Sequence, residues 1–538
     1  HGTRATASTN GLCYDHADQP TTRAARMPTL SGQSRRSRMY VLCGLLLTLS
    51  GHVWIPSAAS GPPELAAAQE ALSAERMVET VRTLSHPSLN GRQAGTEHDL
   101  RSGQWVAQAF MAAGLQLPLI HNGSMSFPFV GGERGPLGVM ASIIPAPVIA
   151  SDPALRIGTT ATMPTRALGT DYLPIFDAPT ADIQSRVIFV GYGIVDPSQG
   201  LDDYAGVDVT NSIVLFLRGK PDHAQRPVSH ADKVRWARER GAIGYLTATG
   251  PILHPYEIRR GVTGRPSAFY GQLPPEQAIP GAWVSTDLAV RLLSGSHEDT
   301  PDRLRTAQEQ LNTKPATQSV VTDYYAALQW NTAVGEGVLA NVLGVIPGKT
   351  SEAILIGAHR DHFGRPAGLL FPGADDNASG TAVMLEVARA LAASGRQPQR
   401  TMLFVSFSGE ERDLLGSRLY TSRPIVPLGS TTAMINIDHA GVGNGRLAVG
   451  VTGLDKSVVR RAGETSGLAD QLDVFGFFPG GDHVPFKEAG VPTVTVVSGG
   501  VHPHYHQPTD TVETIDPAIL HNTAHYVLAL AWQLANEP

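Results

Sequence analysis

The sequence predicts an α/β fold: a mixed, mainly parallel central sheet flanked by helices, with a smaller α/β unit inserted into it. Three observations carry this. First, residues 353–358, 401–407 and 432–437 are short apolar, β-branched runs, the first two separated by a helical stretch. Such runs read as buried strands of a parallel sheet. Second, each run stops abruptly at acidic or imidazole side chains: His359, then Glu410 and Glu411, then Asp438. In open parallel sheets the ligand crevice lies outside the carboxyl ends of the strands, so these polar groups converge on one edge. Third, from about Asp171 a separate strand–helix alternation begins, with its own turns.

The 538 residues argue for more than one domain, and 42% hydrophobic content is enough for sizeable cores. A net charge of −6 gives no reason to expect a nucleic-acid partner. The two cysteines, Cys13 and Cys43, precede the folded body. No disulfide therefore staples the fold, and a metal must be held by nitrogen and oxygen.

Residues 1–60 are expected to be an upstream segment and a signal or anchor. Met27 and Met39 are candidate starts. Arg35, Arg36 and Arg38 precede the apolar run Met39–Leu49, and Ser57, Ala58 and Ala59 supply small residues at signal-peptidase spacing. Export to the periplasm or the extracellular space is expected; an uncleaved segment would leave a membrane anchor, though the run is short for a span. Residues 61–160 should form an N-terminal helical part, with helices over 65–84 and 100–113, the latter stopped by Gly114. Residues 161–310 should form the insert, with strands at 186–192, 212–218 and 282–285 and a helix at 229–240. Nothing in it has catalytic spacing, so it reads as a packed, non-catalytic unit. Residues 297–317 read as a linker, and 311–538 as the remainder of the main domain. Gly344–Thr350, GVIPGKT, is one residue short of a phosphate loop and reads as a turn between strands. A final helix is expected over 518–534.

His359 ends a strand, with Asp361 two residues on as a candidate partner for its second ring nitrogen. Asp375 and Asp376 precede a helix whose Val383, Leu385, Val387 and Leu391 suit a buried face. Capping is the ordinary role of such an acidic pair. Two carboxylates in a loop after Pro372-Gly373 also suit a metal. Glu410 and Glu411 allow two roles, one coordinating and one holding the proton of an attacking water. A late buried strand leads to His502, His504 and His506. Together, three carboxylates and two imidazoles without sulfur suit two Zn²⁺ ions acting in hydrolysis.

At these residues the chain resembles the co-catalytic zinc exopeptidases, metallopeptidase family 28, which include bacterial leucyl aminopeptidases, glutamate carboxypeptidases and glutaminyl cyclases. The likeness covers residues 320–534, and the N-terminal helices more loosely. Through DDYAGVDVTNSIVLFLRGKP the insert is similar to a protease-associated domain. The resemblance implies that His359 and Asp438 bind one zinc, that Glu411 and His506 bind the other, and that Asp375 bridges them. It also implies a cis peptide between Asp375 and Asp376. Glu410 would be the general base, and Tyr505 would steady the oxyanion. Asp482 and His483 match a pair near the site to which no role is assigned. Arg360 and His362 depart from the family pattern and are expected to bear on the pocket, not on the ligands. The implied activity is that of a dizinc aminopeptidase acting on peptide or protein substrates. A carboxypeptidase or glutaminyl cyclase of the same fold, or a binding module without catalysis, are the alternatives. A serine hydrolase is disfavoured, since no G-x-S-x-G elbow appears.

Overall fold

The computed structural model describes residues 62–120, 138–149, 153–254, 257–258, 261–294, 302–313 and 317–537. The expected signal region and both cysteines lie outside these residues. Among the described residues, no helix is long and apolar enough to cross a membrane.

Two large sheets organise the chain. The first has eight strands, in the spatial order Val139–Ile149, Thr332–Ile346, Thr401–Phe407, Ala353–His359, Thr431–Asp438, Thr493–Ser498, Leu447–Thr452 and Leu472–Phe475. The middle four run parallel, with His359 opposite Phe407, Gly357 opposite Asn436, and Asp438 opposite Val497. That register brings the carboxyl ends of these four strands to one edge. Antiparallel strands close both sides. Every residue of Ala353–His359 is buried, as a strand covered on both faces requires.

The helices Ala74–Leu84, Gly380–Ala393 and Pro517–Asn536 contribute to one core, through Met77, Val81, Val383, Val387, Val527 and Leu530, against Ile354, Ile356 and Ile435 of the sheet. Helix Glu97–Ala112 adds Val106 and Phe110. It starts at Thr96, whose hydroxyl accepts the Asp99 N–H, and is followed by Gly114 at φ 85°. The stretch expected as one helix over 65–84 is two, Pro63–Glu70 and Ala74–Leu84, broken before the Ser73 cap. Residues 347–352 form bends between two strands, as the missing phosphate-loop residue implies.

The second sheet has seven strands, in the order Ala154–Gly158, Val320–Trp330, Ala181–Phe189, Ile213–Leu217, Gly244–Ala248, Gly281–Val284 and Tyr172–Pro174. It reaches beyond the expected 161–310 at both ends, because Ala154–Gly158 and Val320–Trp330 pair with each other across the whole insert. The expected linker at 297–317 contains a helix, Arg303–Thr313, whose Leu304, Ala307 and Leu311 enter the insert's core. Apolar residues at i, i+3 and i+7 carry it despite the charged composition.

Two buried arginines tie these parts together. Arg360 pairs with Asp99 at 2.9 Å and donates to the carbonyls of Ala340, Ser406 and Phe407. Arg92 donates to the carbonyls of Leu84, Pro372 and Gly373. Both are fully buried. Arg360 therefore braces strand ends and does not face the pocket, contrary to the sequence expectation.

The insert carries a titratable group whose ionisation opposes folding. His230 Nε2 lies 3.1 Å from the Tyr245 hydroxyl. Burial, reinforced by Arg218 and Lys233, lowers its pKa to about 3. Between roughly pH 6.5 and that value the unfolded chain binds a proton that the folded chain refuses. Stability should therefore fall as pH drops through this window, and His230→Gln should flatten the decline in denaturation midpoint. An unchanged slope in that variant would contradict the assignment.

Candidate metal centre

The carboxyl edge of the parallel strands gathers acidic and imidazole groups from six segments. His359 closes its strand, buried, with Nδ1 3.2 Å from the Asp361 carbonyl. That contact leaves Nε2 pointing at carboxylates: 3.4 Å to Asp376 Oδ1, 3.4 Å to Asp438 Oδ1 and 3.9 Å to Glu410 Oε2. On the other side, His506 Nε2 lies 3.1 Å from Asp376 Oδ2 and 3.5 Å from Glu411 Oε2. Asp376 thus presents one oxygen to each histidine.

These separations have a physical reading. Zinc–nitrogen and zinc–oxygen bonds of about 2.0–2.1 Å at tetrahedral angles place neighbouring ligand atoms roughly 3.3–3.4 Å apart. Hydrogen-bonded groups would sit at about 2.7–3.2 Å. His359 Nε2 and Asp438 Oδ1 are buried and make no hydrogen bond, and His362 Nε2 is in the same position. Unpaired buried polar atoms are costly, and a cation among them removes the cost. Among the described residues, three groups of three could hold one: His359, Asp376 and Asp438; His362, Asp376 and Glu411; and Asp375, His439 and His502. His506 reaches both carboxylates of the second group.

The carboxylate that lies between His359 and His506 is that of Asp376, one residue after the Asp375 expected to bridge. Asp375 faces elsewhere: Oδ2 meets His502 Nδ1 at 2.7 Å and His439 Nδ1 at 3.2 Å, and Oδ1 accepts the Gly441 N–H. The cis peptide is likewise at Asp376–Asn377 and not at Asp375–Asp376. The loop's backbone decides which carboxylate points inward. Asp510 accepts the N–H groups of both aspartates, at 2.9 and 3.1 Å, while Arg92 holds the Pro372 and Gly373 carbonyls. Gly373 takes φ 61°, and a Cβ there would lie 2.5 Å from the His362 ring.

Of the other expected residues, Glu410 and Tyr505 both line the cavity in front of this centre. Burial, then the charges of Asp438, Asp482 and Asp376, raise the Glu410 pKa well above the carboxylate range, with His359 opposing. The Tyr505 ring stacks on His506, centroids 3.7 Å apart. Asp482 is fully buried, and burial lifts its pKa to about 7. His483 turns away, its Nε2 2.7 Å from the Phe478 carbonyl. His504 contacts Thr509 instead of the centre.

Sequence reasoning missed four participants. His362 Nδ1 lies 2.7 Å from Glu411 Oε1, so this departure from the family pattern does touch a predicted ligand. His439, His502 and Asp510 hold Asp375 and its loop; adjacency to Asp438 was the only signal for His439. The insert is also no bystander. The Ala268 carbonyl lies 2.9 Å from His506 Nδ1, and Gln507 reaches Pro266 and Ser267. With Nδ1–H donated to that carbonyl, the Nε2 lone pair faces Asp376 and Glu411.

A parallel sheet with a nitrogen–oxygen centre at its carboxyl edge is the arrangement of a metal-dependent hydrolase. Residues 341–531 match the model of Peptidase family M28. It is 28% identical over 304 residues to a probable leucine aminopeptidase of Trichophyton verrucosum (strain HKI 0517), covering 51% of this chain and 84% of that protein. To aminopeptidase YwaD of Bacillus subtilis (strain 168) it is 32% identical over 173 residues, covering 30% of this chain and 38% of that one. Its fold is similar to an aminopeptidase from Aneurinibacillus sp. strain AM-1, with TM-score 0.61, 22% identity, and 88% and 96% of the two chains covered. A zinc aminopeptidase from Bacillus subtilis gives TM-score 0.58, 20% identity, and 87% and 96% coverage.

Gly373→Ala should cost more than about 1 kcal/mol, since a side chain at this positive φ is strained and here also collides with His362. A thermal midpoint equal to that of the parent protein would contradict the packing described.

Proposed function

We propose that the chain is a zinc-dependent exopeptidase that removes N-terminal residues from peptides, with two Zn²⁺ ions held at the centre. The single observation that carries this is Asp376 turning one oxygen to His359, at 3.4 Å, and the other to His506, at 3.1 Å. His359 and Asp438 would hold one ion and Glu411 and His506 the other, with Asp376 shared and His362 able to join the second set. Three carboxylates then offset most of the four positive charges. The named activities of the relatives support the aminopeptidase reading, and the basic-then-apolar N-terminal pattern supports export.

Zinc at such a site supplies charge that acidifies a water and polarises a carbonyl. The remaining work belongs to side chains. Glu410, raised in pKa and lining the cavity, takes a proton from the attacking water and delivers it to the departing amine. Tyr505, held flat against His506, flanks the place where the carbonyl carbon becomes tetrahedral. His506 keeps its orientation through the insert carbonyl at Ala268.

Two variants and one substrate test this reading. Glu410→Gln should retain zinc while kcat falls by about 10² to 10⁴, the usual contribution of a positioned acid–base group; parent-rate hydrolysis by this variant would remove Glu410 from the mechanism. Asp376→Asn should lose zinc measured by elemental analysis, whereas Asp375→Asn should keep it, and the reverse pattern would make Asp375 the shared ligand. Acylating the substrate's amine should abolish turnover. Indifference to that block would point to a carboxypeptidase or endopeptidase.

A further inference from the structure

The cavity in front of the centre, about 440 Å³, is walled on two sides by different parts of the chain. Asp376, Glu410, Glu411 and Asp438 come from the sheet edge, whereas Arg218, Phe269 and Trp283 come from the insert. Trp283 is 2% exposed, and its indole N–H makes no hydrogen bond. A buried donor without an acceptor is unfavourable, and one lining a cavity points to a ligand that supplies the acceptor. Arg218 follows the insert strand Ile213–Leu217 and stacks on that indole, its guanidinium carbon 3.9 Å from the ring centroid. Its Nε lies 3.7 Å from Glu257 Oε1.

The cavity is therefore electrically polarised. One side carries carboxylates, the other a guanidinium and an orphaned N–H, with the aromatic side chains of Phe269, Phe363 and Phe475 also lining it. The complementary molecule has a cationic end, an anionic end and little length between them. We propose that the substrates are short peptides of two or three residues, whose free C-terminal carboxylate is bound by Arg218 and the Trp283 indole N–H. This rests on the aminopeptidase reading above. It also gives the insert a specificity role, in place of the packing role its sequence implied. A volume of a few hundred Å³ is that of a small-molecule site, which suits this length.

The test compares one tripeptide with a free carboxylate, the same tripeptide as its C-terminal amide, and an aminoacyl anilide, which has no carboxylate. The parent enzyme should prefer the acid over the amide by at least about tenfold in kcat/KM, carried by KM, as a charge-assisted contact requires. Arg218→Met should bring that ratio near one, Arg218→Lys should restore part of it, and Trp283→Phe, which keeps the ring and removes the N–H, should lower it several-fold. A parent ratio near one, or a ratio unmoved by Arg218→Met and Trp283→Phe, overturns the anchor. The anilide separates the two levels. If the parent cleaves it without preferring the acid, only the anchor fails; if the parent cleaves neither anilide nor peptides, the aminopeptidase reading fails with it.

Discussion

Mutual repulsion among buried carboxylates is the constraint on which this structure depends. Asp376, Glu410, Glu411, Asp438 and Asp482 meet at one sheet edge, and burial with their mutual charge raises Glu410, Glu411 and Asp482 in pKa. Two like charges about 4 Å apart repel by roughly 4 kcal/mol at an effective dielectric of 20. Among the described residues, no lysine or arginine lines the sheet-edge side of the cavity near these groups; Arg218 stands on the insert side. Histidines compensate in part: burial alone would lower the pKa of His359, yet Glu410 and its neighbours raise it. Cations held among these ligand atoms would complete the balance.

Holding such groups together takes scaffolding that is itself buried and polar. Arg360 and Asp99 form an ion pair beneath the strand ends, and Arg92 gathers carbonyls from two separate segments. Asp510 receives the backbone of both loop aspartates. Removing one partner from such a network leaves a buried group unpaired, which costs more than the pair contributes. The insert joins this scaffolding through Ala268, so the second sheet, formed far away in the chain, orients a side chain of the first.

The parallel strands were legible because an apolar, β-branched run too short for a buried helix suits a strand covered on both faces. His359, Glu410, Glu411, Asp438 and His506 all came together as expected. Choosing between Asp375 and Asp376 was beyond periodicity. The two are neighbours in the chain, and the choice is made by Gly373's left-handed backbone and by Asp510, 135 positions away. His362 was discounted because a family comparison at that position looks only along the chain, whereas Glu411 reaches it across the sheet edge. The insert's limits were misjudged for the same reason: Ala154–Gly158 and Val320–Trp330 are partners across the whole intervening unit. Long-range pairing of this kind leaves no local pattern.

The central claim is that cations sit where these side chains converge. Anomalous diffraction at the zinc absorption edge, on crystals of the full chain grown with zinc, tests it most directly. The account predicts two strong peaks a few ångströms apart, one among His359, Asp376 and Asp438, the other beside Asp376, Glu411 and His506. A map without signal there, or with its signal at Asp375, His439 and His502, would contradict it.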